Sequence, residues 1–499
     1  MMDSLNTLVA LPEIVLLVAA CGVLLIDLFI SDSRRNVTYG LTMAALLAVA
    51  VVVGFAAARN DTVVGFGAMY ISDPMGHVLK LAAILCCGFM LVCAQSYARA
   101  RGIWKGELFS LTLFSLLGMM LMISANNLLV IYLGLELQSL SMYALVALRR
   151  DDPRSSEAAM KYFVLGSLAS GFLLYGMSML YGATGTLEID ELASRVAAGE
   201  IVSRASLLLG IVFVVAGLAF KFGVVPFHMW APDVYQGAPT PITMLLSSAP
   251  ELAIFAIAFR ILVEGLLPFA VDWQKILALL AVASLVLGNL TAIAQTNLKR
   301  MLAYSTIAQM GFVLLAMLSG VTAGDPVVIA DAYSAAMFYL ITYALTSLGT
   351  FGIILLLSRQ GFEAEEISDF RGLAKRTPWY AFLMMLLMFS LAGVPPTVGF
   401  YAKLVVLQAL VSEGATVAAL SLAVIAVLLS LIAAFYYLRI VKTMYFDDPL
   451  PETAAVPIVA PTDMRVALSV NGILVLVLGL TPQYLLQLCA AAMTRTLGG

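Results

Sequence analysis

Four ionisable side chains stand deep inside long apolar runs: Glu136 in 128–148, Lys221 in 205–230, Glu251 in 242–262, and Lys403 in the run that follows Pro395 and Pro396. A charge at the centre of a membrane helix costs on the order of 2.5–3.5 kcal/mol even on the lenient insertion scale, so such residues are rarely decoration. Two carboxylates and two amines in that setting can do one kind of chemistry, proton transfer. Desolvation disfavours the charged form of each group and a nearby opposite charge favours it. A movable Glu–Lys contact can therefore switch a lysine between holding and releasing a proton. His228 follows Lys221 by about two helical turns, and if the helix resumes after Pro226 the two share a face and a water chain. The competing reading makes the four charges structural ion pairs, or makes the lysines snorkel to the surface, although a glutamate is too short to do so from mid-span. His228, beside Trp230, would then be a packing histidine.

These groups need apolar helices to carry them, and the composition supplies them. The chain has 499 residues, 62% hydrophobic and 11% charged, with a mean hydropathy of +1.01. Soluble domains are about half apolar and a quarter charged, so this is an all-α, polytopic membrane protein. Net charge is -3, which offers no basis for a nucleic-acid partner. Two histidines, His77 and His228, and five scattered cysteines, Cys21, Cys86, Cys87, Cys93 and Cys489, give little basis for haem or an iron–sulfur cluster. The cysteines read as packing residues, and no metal or cofactor site is expected in this chain. Asp3 and Glu13, not a basic segment, precede the first apolar run, which argues for a retained helix over a cleaved signal.

At about 20 apolar residues per crossing, the runs predict fourteen helices: 10–30, 37–57, 75–96, 107–124, 127–148, 158–181, 205–230, 241–262, 273–294, 300–320, 331–358, 378–411, 415–443 and 466–488. The seventh and twelfth exceed one crossing and contain proline, Pro226 in one and Pro395-Pro396 in the other. Proline removes a backbone donor, so both are expected to be broken.

Loops retained in the cytoplasm are enriched in Lys and Arg. Alternate connections carry Arg34, Arg35, Arg99, Arg101, Lys105, Arg149, Arg150, Arg154, Lys299, Arg300, Arg359, Arg371, Lys375, Arg376, Arg439, Lys442 and Arg465. The opposite set holds Arg59, Arg195, Arg204, Arg260, Lys275 and Arg495. Both termini therefore face outward. Lys80 and Lys161 stand in or at the edge of spans; Lys80, His77 and Asp27 read as interfacial or structural.

Helices 4–8 and 9–13 each form a set of five, with a proline-broken helix fourth and a lysine near each break. An odd count inverts the second copy, a recurrent transporter design. The expected division is 1–106 for helices 1–3, 107–265 for the first repeat, 266–445 for the second, and 446–499 for a loop and helix 14. Ser139, Ser141, Thr240, Thr243, Ser247, Ser248, Ser305 and Thr306 lie on the same helices, where they could hold water or simply pack helices together.

The segments LGLELQSLSMYALVAL, GLAFKFGVVPFHMWAPDVYQGAPTPITMLLS, NLKRMLAYSTIAQMGF and FSLAGVPPTVGFYAK together resemble the antiporter-like membrane subunits of respiratory complex I, the NADH:quinone oxidoreductase. The resemblance covers nearly the whole chain. It implies fourteen helices in two inverted five-helix repeats and a proton-translocating module of the bacterial inner membrane, driven by quinone reduction elsewhere in the complex. NADH, FMN, iron–sulfur clusters and quinone would belong to partner subunits. It implies further that Glu136 is the acid of helix 5, Lys221 its modulated partner in broken helix 7, and Lys403 the ionisable group of broken helix 12, on the exit side.

One position departs from that pattern. The family usually has lysine in helix 8 where this chain has Glu251, after Pro250. Either Glu251 does the relay's work as a carboxylic acid or it pairs with Lys221 or Lys403. Two rival functions stand beside this one: a subunit of a cation/proton antiporter, against which the Gly-Ala-Pro-Thr-Pro string argues, and a scaffold whose channel is inactive, which the departure at Glu251 keeps open.

Overall fold

The computed structural model describes residues 6–59, 61–320, 326–358, 361–412, 416–450 and 461–498; Asp3 and Arg359 lie outside the described residues. Within these, thirteen helices are long and apolar enough to cross a membrane, and two shorter apolar helices form the halves of one more crossing. In chain order they are α1 (Leu11–Asp27), α2 (Asn36–Arg59), α3 (Pro74–Ala100), α4 (Gly106–Ser124), α5 (Leu128–Val146) and α6 (Pro153–Thr184). Then come α7a (Arg204–Lys221) and α7b (Trp230–Gly237), α8 (Thr240–Gly265), α9 (Ala270–Ile293), α10 (Leu298–Ser319) and α11 (Pro326–Leu357). Last are α12a (Pro378–Ala392) and α12b (Val398–Ser412), α13 (Val417–Phe446), α14 (Thr462–Leu480) and α15 (Gln483–Leu497).

Local chemistry sets where the helices begin. Asp73 before Pro74 and Asp152 before Pro153 accept from backbone N–H groups of the first turn, and Asn127 and Asn297 do the same for α5 and α10. Small residues then set how closely the helices pack. A Cβ on Gly118 of α4 would lie 2.5 Å from the Gln138 amide of α5, and one on Gly176 of α6 would lie 2.7 Å from the Val214 amide of α7a. Hydrocarbon gives no hydrophobic drive between helices, so such backbone contact is what holds them.

Burial sorts the helices into an inner and an outer set. Every residue of the most apolar stretch of α8 is buried, and α10 and α11 are nearly so, whereas most of α2 and α13 is apolar and at least partly exposed. The ionisable groups of α8 therefore face protein.

Both expected breaks are present, and they are wider than proline alone predicts. Gly223, in the left-handed region at φ 63°, ends α7a: its N–H bonds to the Phe220 carbonyl and the Val224 N–H to that of Ala219. Gly393, at φ 83°, ends α12a in the same way, with bonds to Ser390 and Phe389. This double closure is how a glycine terminates a helix. The helix expected to resume after Pro226 resumes only at Trp230, and the single helix expected over 378–411 is two helices.

Three further elements depart from expectation. Helix 14, predicted over 466–488, ends at Leu480, and a separate α15 follows. A hairpin of Val63–Gly65 and Tyr70–Ser72 fills the α2–α3 connection. A helix at Ile189–Ala198, too short to span, follows α6 with Ile189, Leu192 and Val196 buried. Arg260, expected in a connection, is fully buried in the π-helical last turn of α8, 2.9 Å from Asp73. Lys80 is also buried, paired with Glu13 at 2.6 Å.

Polar cross-links join connections at one end of the bundle or at the other. Arg101 and Arg149 both reach Glu363, and Lys299 reaches the Ala238 carbonyl and Glu365. At the opposite end Asn126 bonds to Ala68 and Asp190, and Gln274 to Leu318.

Candidate functional site

Lys221 is the last residue of α7a, where the free carbonyls of a helix end favour a cation. It is 7% exposed, and its ammonium donates to the Ser139 hydroxyl of α5 at 2.7 Å. The Ser139 hydroxyl in turn donates a hydrogen bond to the Leu135 carbonyl. Glu136, one turn before Ser139, is half-buried and within electrostatic reach of Lys221. Among the described residues no direct ion pair joins them, so the expected acid–base contact runs past a hydroxyl. Glu136 Oε1 is buried without a hydrogen-bond partner in that set.

Aromatic side chains lead from this pair toward α8. Tyr143, one turn beyond Ser139, packs edge-on against Tyr162 of α6 at 4.7 Å, and Tyr162 stacks on Trp230 at 4.8 Å. Trp230 Nε1 donates to the Phe220 carbonyl, capping α7a from the far side of its break. Glu251 lies within electrostatic reach of the Tyr162, Tyr235 and Tyr343 hydroxyls. It is 4% exposed, and its Oε2 has no partner among the described residues. Of the two alternatives for Glu251, pairing with Lys221 or Lys403 is not what the structure has.

Beyond Tyr343, polar side chains of α10 lead toward α12. The Tyr343 and Thr306 hydroxyls are 2.7 Å apart; one turn along α10, Gln309 bonds to Tyr339, to Tyr437 and to the Leu391 carbonyl. Lys403, 8% exposed, donates to the Leu391 and Ala392 carbonyls at 3.0 Å each and to Ser430 at 2.8 Å. It thus caps α12a from α12b. Gln309, Tyr339, Tyr343, Ser390 and Lys403 line a cavity of about 20 Å³, and Ser305, Thr306, Tyr343 and Ser347 line another of about 10 Å³. A water needs roughly 10–15 Å³ and two to four polar partners, so the first cavity is large and polar enough for one.

Of the five residues singled out from sequence, Lys221, Glu251 and Lys403 are thus buried among the helices and Glu136 is half-buried beside Lys221. His228 does not join them: it is half-exposed in the break of helix 7, its Nδ1 meets no partner among the described residues, and the helix that would place it on the face of Lys221 is absent there. The two lysines also stand on opposite sides of their breaks, Lys221 before and Lys403 after. Sequence reasoning missed Tyr162, Tyr235, Tyr343, Gln309 and Tyr437, which are uncharged. A signal for one of them, Gln309, exists in the chain laid on itself at the spacing of 127 and 297. That shift pairs Asn127-Leu128 with Asn297-Leu298 and Gly223-Val224 with Gly393-Val394, and it sets Gln309 against Ser139.

The NADH:quinone oxidoreductase/Mrp antiporter transmembrane family matches residues 125–430. NADH-quinone oxidoreductase subunit N of Herminiimonas arsenicoxydans is 57% identical, over 99% of this chain and 100% of its own length. The subunit of the same name from Polaromonas naphthalenivorans (strain CJ2) is also 57% identical, over 98% of each chain. Among solved structures, a chain of respiratory complex I from Thermus thermophilus with bound aureothin superposes with a TM-score of 0.80 at 30% identity, over 97% of this chain and 100% of that one. A chain of the Mrp complex from Dietzia sp. DQ12-45-1b has a TM-score of 0.82 at 22% identity, over 98% and 97%, a likeness of fold alone.

Proposed function

The chain belongs to the NADH:quinone oxidoreductase/Mrp antiporter family, and from that membership we propose that it is a non-redox, proton-translocating membrane subunit of an NADH:quinone oxidoreductase. Its partners are the other subunits of that complex, which carry NADH, FMN, iron–sulfur clusters and quinone. The observation that carries the reading is the set of ionisable and polar side chains inside the helices: Lys221 on Ser139 with Glu136 nearby, Glu251 near the Tyr343 hydroxyl, and Lys403 on the Leu391 carbonyl that Gln309 also reaches.

In this reading Lys221 holds a proton against Ser139 while the Glu136 carboxylate is near and releases it when that carboxylate is neutralised or moves. Glu251 takes the part of the usual helix-8 lysine as a carboxylic acid, giving and receiving protons at Oε2. Lys403 is the last holder, its ammonium steadied by two carbonyls that a neutral amine would need less. His228 is no longer assigned to this line. Residues 107–265 and 266–445 act as two inverted copies. Supporting this, the Gly223 and Gly393 closures match, and α5 and α10 are pinned alike, through the Asn127–Glu188 and Asn297–Glu366 bridges. The basic connections face the bacterial cytoplasm and both termini the periplasm, which one-sided thiol labelling of a Glu200→Cys chain would read from outside.

Proton pumping per NADH oxidised, measured in reconstituted vesicles, tests the relay. Glu251→Gln is expected to lower that ratio or slow coupled turnover at least about tenfold, as a positioned proton donor or acceptor typically contributes about 10²–10⁴-fold. Undiminished pumping by an assembled Glu251→Gln complex would remove Glu251 from the relay.

A further inference from the structure

The α1–α2 connection, the start of α2, the end of α3 and the α3–α4 connection border a cleft of about 340 Å³, lined by Ser33, Arg35, Asn36, Arg99, Trp104 and Lys105 among others. Arg35 is already held by Asp27 and Asp32. The other two cations are not balanced: Arg99 donates to the Asn36 side-chain carbonyl at 2.5 Å and lies over the Trp104 ring, and Lys105 is exposed with no acidic partner among the described residues. Trp104 is 9% exposed, and its indole N–H has no partner in that set. Ser33 and Asn36 add exposed donors, so the walls of the cleft offer chiefly positive charge and hydrogen-bond donors, against the single carboxylate of Asp32.

Such a set recognises a phosphate oxyanion. Its source is indicated by what borders it. Leu28 and Phe29 before the cleft are 74% and 89% exposed, and Val37 after it is 51% exposed. A free phosphate would make no use of these side chains, whereas the acyl chains of a phospholipid would lie over them. The cleft is also at the ends of spanning helices, the depth of a lipid headgroup, and at the more basic end of the bundle. Basic pockets between helices on that side are attracted to anionic lipids.

We propose that this cleft is a binding site for the headgroup phosphate of an anionic phospholipid, with Arg99 and Lys105 as its principal cations and Leu28, Phe29 and Val37 against the acyl chains. The inference is independent of the proton relay. It gives the first three helices a ligand of their own.

The test uses the purified, assembled complex and photoactivatable phosphatidylglycerol, with photoactivatable phosphatidylcholine as the uncharged-net control. Phosphatidylglycerol is expected to label peptides containing residues 28–37 and 99–105, and phosphatidylcholine to label them far less. In an Arg99→Gln/Lys105→Gln double variant each neutralised cation should weaken labelling about fivefold; the charge-keeping Arg99→Lys/Lys105→Arg variant should retain most of it. Equal labelling of the wild type and the Gln variant, or equal labelling by the two lipids, would overturn the proposal. Displacement of the label by inorganic phosphate alone would assign the cleft to the free ion and overturn the lipid reading.

Discussion

The Lys221 ammonium reaches the Ser139 hydroxyl, and Glu136 acts on it only from a distance. Ser139 is therefore the group whose loss should be felt at Lys221 without changing any charge. Removing a partner from a buried charged donor costs about 1–3 kcal/mol or more. Ser139→Ala is expected to slow proton pumping several-fold in an assembled complex, and Ser139→Thr, which keeps a hydroxyl, to restore most of it; equal pumping by all three forms would place the hydroxyl outside the relay. The charged members of this site were legible in the sequence because an ionisable residue in an apolar run has no cheap alternative to a protein-lined interior. The hydroxyls were not, because a serine or threonine in such a helix most often bonds to its own backbone, as Ser141, Thr342 and Thr350 do here. His228 misled for a related reason: periodicity counted from Lys221 is meaningful only while the helix lasts, and this one stops at Lys221.

At the scale of the element, the two broken helices share a closure but not a tolerance. A Cβ on Gly223 would meet no atom nearer than 3.7 Å, whereas one on Gly393 would lie 2.9 Å from the Lys403 side chain. Both alanines would bear the left-handed backbone cost, about 1–2 kcal/mol. Only Gly393→Ala would also press on the lysine that caps α12a. Both variants are expected to lower the melting temperature of the complex by similar amounts, with Gly393→Ala losing proton pumping per NADH oxidised and Gly223→Ala largely keeping it. The reverse order would show that the break in helix 7, not that in helix 12, is the sensitive one. Spans were readable from apolar length, since each needs about 20 residues. Their interruptions were readable as prolines, but their extent was set by Gly223 and Gly393, whose role depends on a backbone angle that composition does not carry. The hairpin and the Ile189–Ala198 helix were too short to register in a search for spans.

Across the whole molecule, buried charges tie α3 to α4 and α8. Arg260, in the last turn of α8, meets Asp73 at the head of α3, bonds to the Ile123 carbonyl at the end of α4, and reaches Glu264 on its own helix. Asp73 and Arg260 are both fully buried, so neither finds water as a substitute. Removing one partner of such a pair typically costs about 3–5 kcal/mol, because it strands the other charge, while replacing both with apolar groups is often nearly neutral. Arg260→Met is therefore expected to reduce the yield of assembled complex sharply and to lower its melting temperature. An Asp73→Leu/Arg260→Met double variant is expected to recover much of the loss. The measurement is a double-mutant cycle on thermal unfolding of the complex. If the single variant assembles and melts like the wild type, the charged tie between α3 and α8 has no structural weight.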